Sequence, residues 1–269
     1  MKFEKWNALG NDYIVVEERN LPFPLTPSRV RRICALHSGV GSDGILLLSE
    51  TDERGFVAEL RIFNPDGSEA ELSGNGAREA VMYLRTRGWT DNDTFSIKTA
   101  AGEMRPRITG PTTCTMDMGR VIVRFDGEIG GMRFQHLTIG NPQTPIRIAD
   151  REELEALDLA RLGPLIENHE AFPNRTNVSF WTEVAPDRIR ARIFERGVGE
   201  TMSSGTGASG AAVAHVLRGG DSPVTVELDG GELEVDVDES LHVDLTGWAV
   251  PIYGGELSPE LVAELGSMG

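Results

Sequence analysis

The chain contains one segment twice, and this repeat limits what it can fold into. Residues 61–80 read RIFNPDGSEAELSGNGAREA, and residues 192–211 read RIFERGVGETMSSGTGASGA. Nine of the 20 aligned positions are identical without a gap, at an offset close to half of the 269-residue length. This period lies far above the roughly 20–50 residues of solenoid repeats. The repeat therefore predicts two homologous domains, residues 1–118 with 250–269 and residues 119–249.

Each half is predicted to be α+β. Half-buried strands are indicated by alternating apolar and polar residues at 95–98, 224–228, 233–237 and 242–245. Each half also has one strongly apolar helical run, residues 77–84 and 208–217, and such a helix should be buried. We therefore expect two pseudo-symmetric domains, each a curved mixed or antiparallel sheet wrapped around a central helix. Thr26-Pro27 and Ser258-Pro259 are typical of helix starts and predict two further helices.

The charge balance excludes one class of partner. The chain has 42 acidic and 26 basic residues and a formal net charge of −16, so its average field repels nucleic acids. No stretch approaches the roughly 20 consecutive apolar residues of a membrane helix. The first residues also lack the apolar segment of a signal peptide. We therefore expect a cytoplasmic enzyme that binds a small molecule, and neither a nucleic acid nor a membrane.

The residues that usually hold metals and cofactors are few and scattered. Cys34 and Cys114 lie in a helical and a strand pattern, where the expected role is a buried small side chain. The five histidines lack the spacing of metal ligands. Pyridoxal phosphate needs a lysine for its Schiff base, and none of the three lysines lies in an informative context. We expect no metal and no organic cofactor.

Each repeat carries a glycine-rich loop at the start of its apolar helix. Residues 73–77 read SGNGA and residues 204–208 read SGTGA, and a shorter repeat pairs LGND at Asn11 with IGNP at Asn141. Glycines let a ligand approach the main chain closely, and the partial positive charge of a helix N-terminus suits a carboxylate or phosphate. Two such loops related by internal symmetry predict a shared cleft. There one face of a carbon atom would lose a proton while the other gains one.

These segments, in this order along nearly the whole chain, resemble the signatures of the diaminopimelate epimerase family. The matching motifs are LGND (9–12), RIFNPDGSE (61–69), SGNGAR (73–78), GNP (140–142), RTNV (175–178), ERGVGET (195–201) and SGTGA (204–208). The resemblance implies two domains, each with a sheet rolled around a central helix. It also implies cofactor-independent interconversion of LL- and meso-diaminopimelate, and a homodimer.

The resemblance assigns roles to individual residues. Those that match the residues holding the distal end of the amino acid are Asn11, Asn64, Asn177 and Arg196. Those that match the loops around the reacting carboxylate are Gly74, Asn75, Gly205 and Thr206. Asn141, in the GNP motif, is assigned to substrate binding as well. Glu195 matches the acidic residue beside the second catalytic group.

The departures from the family pattern concern the catalytic groups themselves. Ser73 and Ser204 stand where the family has its two cysteines, Gln143 stands where it has a histidine, and Glu79 and Ser209 replace further cysteines. A thiol at a helix N-terminus can ionise, whereas a serine hydroxyl needs another group to activate it. We therefore hypothesise that Glu195 is the base on one face, directly or through Ser204. Ser73 or a water would relay the proton on the other face.

Several alternatives remain open at the level of sequence. The two serines could be engineered replacements, the chain could be a natural thiol-free branch, or it could bind an amino acid without turning it over. The changes at Gln143, Glu79 and Ser209 favour a natural branch, because a design aimed at two sites would not alter them. Another isomerase of the same fold, of the proline racemase or phenazine-pathway type, is a further alternative. The retained asparagines and Arg196 favour a substrate with a polar far end.

Taken singly, several of these residues have ordinary roles. Asn64 and Asn177 can serve as turn residues, and Glu195 with Arg196 can form a surface ion pair. Glu79 is expected to be a solvated helical residue, and Gln143 is likewise expected to be structural.

Overall fold

The computed structural model describes residues 1–71 and 73–268. The helices are α1 (Pro27–Cys34), α2 (Gly74–Thr86), α3 (Arg151–Ala156), α4 (Leu159–Glu167), α5 (Gly205–Val216) and α6 (Pro259–Ser267). The strands are β1 (Lys2–Ala8), β2 (Asn11–Glu17), β3 (Ile45–Ser49), β4 (Phe56–Phe63), β5 (Glu69–Ala70), β6 (Ser96–Thr99), β7 (Gly102–Met104), β8 (Arg107–Ile108), β9 (Thr113–Arg120), β10 (Ile122–Ile129), β11 (Met132–Ile139), β12 (Asn141–Arg147), β13 (Asn177–Ala185), β14 (Arg188–Glu195), β15 (Gly199–Thr201), β16 (Val224–Leu228), β17 (Gly231–Val237), β18 (His242–Trp248) and β19 (Val250–Glu256).

The chain divides into two compact units. The first consists of Met1–Thr115 and Trp248–Gly269, and the second is the continuous segment Met116–Gly247. These limits lie within three residues of the predicted positions 118 and 250. The descent of the two units from one duplicated domain stays a prediction.

The sheet of the first unit surrounds α2. Its strand order is β19-β1-β2-β3-β4-β6-β7, with β5 added to β4. The pairs β2–β3 and β4–β6 are parallel, and the remaining pairs along this path are antiparallel. Helix α2 packs on β1, β2 and β3. Every residue from Asn75 to Leu84 is buried, so the prediction of a buried central helix holds for this unit.

The sheet of the second unit repeats this arrangement around α5. Seven of its strands follow the order β10-β11-β12-β13-β14-β16-β17, with β15 added to β14 and with β18 and β9 beyond β17. The parallel pairs are β12–β13 and β14–β16, which occupy the positions of the parallel pairs in the first sheet. Helix α5 packs on β12, β13 and β14, and its residues are buried from Ala208 to His215. The predicted α+β class, with a mixed sheet around a central helix in each half, is confirmed.

Both central helices begin earlier than the apolar runs predicted. Ser73 and Ser204 each accept a hydrogen bond from the main-chain N–H three residues later and so cap α2 and α5. Serine is a favoured cap residue because its hydroxyl satisfies an N–H that has no carbonyl partner in the first turn. The glycine-rich loops are therefore the first turns of the helices.

Peripheral helices close an apolar core on the other face of each sheet. In the first unit, Val30, Ile33 and Cys34 of α1 and Leu265 of α6 pack on inward-facing residues of β2 and β3. In the second unit, α3 and α4 supply Leu154, Leu159 and Ile166 to a core with β11, β12 and β13. Side-chain caps at Thr26 and Ser258 start α1 and α6, as predicted.

The first unit joins the beginning and the end of the described chain. Strand β1 pairs with β19. The guanidinium of Arg29, a buried residue of α1, donates hydrogen bonds to the main-chain carbonyls of Leu265 (2.8 Å), Gly266 (3.4 Å) and Met268 at the end of α6. One side chain near the start of the fold thus holds the last helix.

Both cysteines are free thiols with buried side chains, as predicted. Burial raises the pKa of the Cys34 thiol, and it raises the pKa of the Cys114 thiol to about 12. Neither sulfur is a thiolate at neutral pH, so neither replaces the missing family cysteines. Among the described residues, no helix has the length and apolar character needed to cross a membrane.

Two helical glycines predict opposite effects of the same substitution. In α4, an added Cβ at Gly163 would lie 2.3 Å from Cγ of the buried Phe194. We expect Gly163→Ala to lower the free energy of unfolding by about 1–3 kcal/mol through overpacking. In α6, an added Cβ at Gly266 meets nothing within 4 Å. Gly266→Ala should therefore be neutral or stabilising by up to about 1 kcal/mol. Urea unfolding followed by circular dichroism measures both, and a stabilised Gly163→Ala would contradict the packing.

Candidate active site

In the first unit, Ser73 lies at the N-terminus of α2 with its hydroxyl oxygen in two hydrogen bonds. Its Oγ accepts from the main-chain N–H of Gly76 (3.1 Å) and from the phenol hydroxyl of Tyr13 on β2 (3.3 Å). The Ser73 residue is half-buried, whereas Tyr13 is buried. A Cβ at Gly76 would lie 3.0 Å from Leu46 and 3.3 Å from Ser73 Oγ. Glycine at position 76 thus keeps the room that the serine needs.

Arg78 fixes the glycine-rich loop that follows Ser73. This side chain is fully buried, and its guanidinium donates to the Gly74 carbonyl (3.1 Å) and to the Asn75 side-chain oxygen. Asn75 was assigned to the loop around the substrate carboxylate, and its side-chain oxygen accepts from Arg78; its contact with a substrate stays a prediction. The part of this loop suited to an anion is therefore its main chain, at the positive end of the helix.

Glu79 corrects the expectation of a solvated helical residue. The side chain is 0% exposed, and its Oε2 accepts from the main-chain N–H of Tyr13 at 3.3 Å. Its other oxygen has no hydrogen-bond partner among the described residues. Burial raises the pKa of this carboxyl well above its ordinary value of 4.5. The prediction was wrong because it was based on residue type alone, whereas α2 is enclosed by its sheet on this side.

Asn11 and Asn64, predicted to bind the distal end of the substrate, make local hydrogen bonds in the first unit. The Asn11 amide donates to the Asp43 carboxylate at 2.6 Å. Asn64 closes a turn: its amide donates to Ser68 Oγ at 2.9 Å, and its main chain bonds to Ser68 and Gly67. Asn64 thus has the turn role that its residue type allows. The sequence did not single out Asp43, which also accepts from the Asp12 main chain at 2.9 Å.

In the second unit, Ser204 caps α5 and is bonded to Glu195. Ser204 Oγ accepts from the Gly207 main-chain N–H at 3.3 Å, and the Ser204 hydroxyl lies beside the Glu195 carboxyl, whose pKa it lowers. Thr201 donates to Glu195 Oε1 at 3.0 Å. Glu195 is the last residue of β14, and the short strand β15 returns the chain to the helix start. The structure thus brings Glu195 to Ser204, as hypothesised.

Burial decides the ionisation of Glu195. The sequence left open whether the pKa of Glu195 would be lowered by the positive helix end or raised by the loss of water around the carboxyl. Desolvation raises the pKa of the Glu195 carboxyl above 4.5, and the hydrogen bonds from Thr201 and Ser204 oppose this rise. A carboxylate with a raised pKa is a stronger base than an exposed one, which suits proton abstraction near neutral pH. The alternative of a surface ion pair with Arg196 fails, because the Glu195 carboxyl accepts from the Thr201 hydroxyl and lies beside that of Ser204, and no ion pair joins it to Arg196 among the described residues.

Asn177 and Arg196 are joined by direct contacts within the second unit. The Asn177 side-chain oxygen accepts from the Arg196 main-chain N–H at 2.8 Å, and its amide donates to the Pro142 carbonyl at 3.1 Å. The Arg196 guanidinium donates to the Asn174 carbonyl at 2.9 Å. Asn177 therefore ties the GNP motif to the segment that follows Glu195.

A chain of side-chain amides leads from Gln143 to the α5 loop. The Gln143 amide donates to the Asn141 oxygen at 2.6 Å, and the Asn141 amide donates to Thr206 Oγ1 at 3.5 Å. Gln143 is fully buried, and its Oε1 has no partner among the described residues. Ser209 is also buried and donates to the Gly205 carbonyl at 2.8 Å. The structural role expected for Gln143 agrees with these contacts.

One group of possible metal ligands occurs among the described residues. Asp117, His242 and Asp244 lie close together near the surface, with His242 Nε2 2.9 Å from the Asp117 carboxylate. Exposed acidic groups of this kind are common without a metal.

The fold is shared with solved structures of low sequence similarity. A phenazine biosynthesis protein of the PhzF family from Bacillus anthracis superposes with a TM-score of 0.74 at 19% identity, over 96% of this chain and 99% of that one. A hydroxyproline epimerase from Agrobacterium vitis superposes with a TM-score of 0.68 at 16% identity, over 97% of this chain and 94% of that one. These likenesses define the fold class alone.

Sequence comparison then gives the family. Residues 3–123 and 136–250 match the diaminopimelate epimerase family. The curated diaminopimelate epimerase 2 of a Nostoc species is 40% identical, over 98% of both chains. The chain belongs to the diaminopimelate epimerase family, and the resemblance stated from its motifs is confirmed.

The buried carboxyl of Glu79 predicts a pH-dependent loss of stability. Because the folded state holds this proton more tightly than the unfolded chain, the free energy of unfolding should fall as pH rises above about 4.5. Glu79→Gln should remove this fall, which approaches about 1.4 kcal/mol per pH unit for one group. Urea unfolding from acidic to mildly alkaline pH measures the difference. Glu128→Gln, at an exposed position of β10, is the control and should follow the wild-type profile. Parallel profiles for wild type and Glu79→Gln would contradict the burial argument.

Proposed function

We propose that the protein is a cofactor-independent epimerase that interconverts LL- and meso-diaminopimelate by removing and returning the α-proton. Membership of the family supports the reaction class and the substrate. The observation that carries the proposal is the contact of Glu195 with Ser204 at the start of a buried helix. It supplies an ionisable group at one of the two positions where the family has a cysteine.

In the second unit, the serine and the carboxylate act together as a base. An ionised Glu195 only accepts hydrogen bonds, so the Ser204 proton is directed toward it. When Ser204 Oγ takes the α-proton of the substrate, its own proton passes to Glu195. Alternatively Glu195 takes the α-proton directly. In both cases the Cα–H bond breaks and an O–H bond forms on Glu195, as general-base catalysis requires.

The main chain of both loops suits the α-carboxylate of the substrate. Gly74 and Asn75 begin α2, and Gly205 and Thr206 begin α5, so each loop offers N–H groups at a positive helix end. Stabilising this carboxylate also stabilises negative charge that develops at Cα when the proton leaves. Asn141, through its bond to Thr206, fixes the second loop.

The distal end of diaminopimelate carries an amino group and a carboxylate. Its binding site therefore needs hydrogen-bond acceptors as well as donors. Asn11, Asn64, Asn177 and Arg196 are proposed to bind it, as the family resemblance implies. Arg196 can bind a carboxylate with the guanidinium N–H groups that the Asn174 carbonyl does not use. Asn177 positions Arg196 through its main chain. A proline-type substrate, which lacks a polar far end, would leave these groups without a partner.

We extend the proposal to assembly and location. A homodimer in the cytoplasm is what the family resemblance implies. Sedimentation of the purified protein tests the assembly.

Glu195→Gln tests the base. The substitution keeps the size and polarity of the side chain and removes only ionisation. The rate of α-proton exchange with deuterated water should fall by about 100-fold or more. Binding of diaminopimelate, measured by calorimetry, should change little. Glu200→Gln is the matched control, because Glu200 lies on the same hairpin and forms an exposed ion pair with Arg192. If Glu195→Gln exchanges α-protons at the wild-type rate, the carboxylate is structural. If the wild type binds the substrate without exchange, the chain is a binding homologue.

Restoring both thiols tests whether the serines limit the rate. A cysteine at a helix N-terminus ionises far more readily than a serine. The double variant Ser73→Cys, Ser204→Cys should therefore epimerise diaminopimelate about tenfold faster or more. The rate of LL- to meso-conversion measures it, and Ser240→Cys, which introduces a thiol at an exposed turn of the second unit, is the control. A double variant slower than the wild type would show that this active site is adapted to hydroxyl groups.

A further inference from the structure

The proposed epimerase reaction leaves one side of the proton transfer without an ionisable group. Glu195 serves Ser204, but a serine hydroxyl alone is a poor proton carrier. In the first unit, the side-chain group bonded to Ser73 is the phenol of Tyr13, whose hydroxyl lies 3.3 Å from Ser73 Oγ. We propose that Tyr13 is a positioning and proton-relay residue that acts through Ser73. This inference rests on the proposed epimerase function and adds a residue to it.

The direction of the hydrogen bonds at Ser73 supports a proton-donating role. A hydroxyl has one proton to donate and two lone pairs that accept. Both lone pairs of Ser73 Oγ are used, one by the Gly76 N–H and one by the Tyr13 hydroxyl. The Ser73 proton is therefore directed away from both, and the residue is half-buried, so its proton can reach a ligand. Two donors on the oxygen also stabilise the negative charge it acquires when that proton leaves.

Ser204 has the opposite arrangement. One lone pair of Ser204 Oγ accepts from the Gly207 N–H. The neighbouring group is the Glu195 carboxyl, which when ionised can only accept a proton. One lone pair of Ser204 thus remains to take a proton. The two serines have the same cap geometry, but the group behind Ser73 donates a proton and the group behind Ser204 accepts one. An inversion at carbon needs one group of each kind.

Tyr13 is fixed so that its hydroxyl must point at Ser73. Its main-chain N–H donates to Glu79 Oε2 at 3.3 Å, so both ends of the residue are bonded to the first two turns of α2. Its ring lies over Gly44, where an added Cβ would be 2.6 Å from Cε1. The side chain is 5% exposed. Phenylalanine would fill the same volume, so only the hydroxyl distinguishes the relay from a packing role.

The step balances as a transfer of two protons. The Ser73 O–H bond breaks as a new Cα–H bond forms on the substrate carbanion that removal of the α-proton leaves. The Tyr13 proton moves to Ser73 Oγ, which leaves Tyr13 as a phenolate and Glu195 as a neutral acid. The reverse reaction, or proton exchange with water, restores both groups. The negative charge on Tyr13 lies near the N-terminus of α2, where the helix stabilises it.

Tyr13→Phe tests the relay, with Tyr83→Phe as the matched control. Tyr83 is another buried tyrosine of the first unit, and its hydroxyl donates to Glu17 at 2.9 Å. Each variant is incubated with LL- or meso-diaminopimelate in deuterated water, and NMR separates inversion from exchange with retained configuration. For Tyr13→Phe we expect inversion to fall about tenfold or more in both directions. Exchange with retention should persist for the one isomer whose α-hydrogen Glu195 removes. Tyr83→Phe should behave as the wild type.

A second pair of variants separates the relay from a loss of folding. With Ser73→Cys in place, the thiol carries the proton itself, so adding Tyr13→Phe should change inversion less than twofold. Inversion by Tyr13→Phe alone within twofold of the wild type would overturn the relay and leave the epimerase function intact. An equal fall in inversion and in the exchange of both isomers would show that the hydroxyl is structural, and would also overturn it. A wild type that exchanges neither isomer would refute the proposed function itself, and the relay with it.

Discussion

A helix buried on nearly all sides imposes the constraint on which each unit depends. The sheet around it satisfies its apolar side chains, but the first N–H groups of any helix have no carbonyl partner within it. In α2 and α5 a serine hydroxyl accepts one of these N–H groups, and glycines keep the remaining main chain open. The N-terminal cap of each helix is thus also the place where a polar ligand can be bound. The same main-chain N–H groups need the serine cap for the stability of the helix and can bind the ligand for the reaction.

Much of this architecture could be predicted from the sequence, because the signals were local. The repeat located both central helices, and the Thr-Pro and Ser-Pro pairs located α1 and α6 at their caps. Glu195 could be placed near Ser204 because a short hairpin separates them. Family motifs then gave the reaction class, which the full-length relatives support.

The parts that could not be predicted depend on contacts between distant segments. Glu79 was expected in water because its residue type usually is, and only the sheet packed on α2 shows that it is enclosed. Tyr13 carried no motif signal. Its relation to Ser73 arises because β2 lies against the start of α2, 60 residues later in the chain. The pKa of Glu195 likewise depends on burial, which the helix end alone did not determine.

The discontinuous first unit has a consequence for how the protein is made. Strand β19 is the partner of β1, and the carbonyls at the end of α6 are bound by Arg29. On the ribosome, the second unit is a continuous stretch that is complete before β19 and α6 are synthesised. The first unit therefore stays incomplete, with the β1 edge of its sheet unpaired, until β19 has left the exit tunnel. Exposed strand edges invite pairing with other chains, so the nascent chain is most open to wrong pairing during this interval.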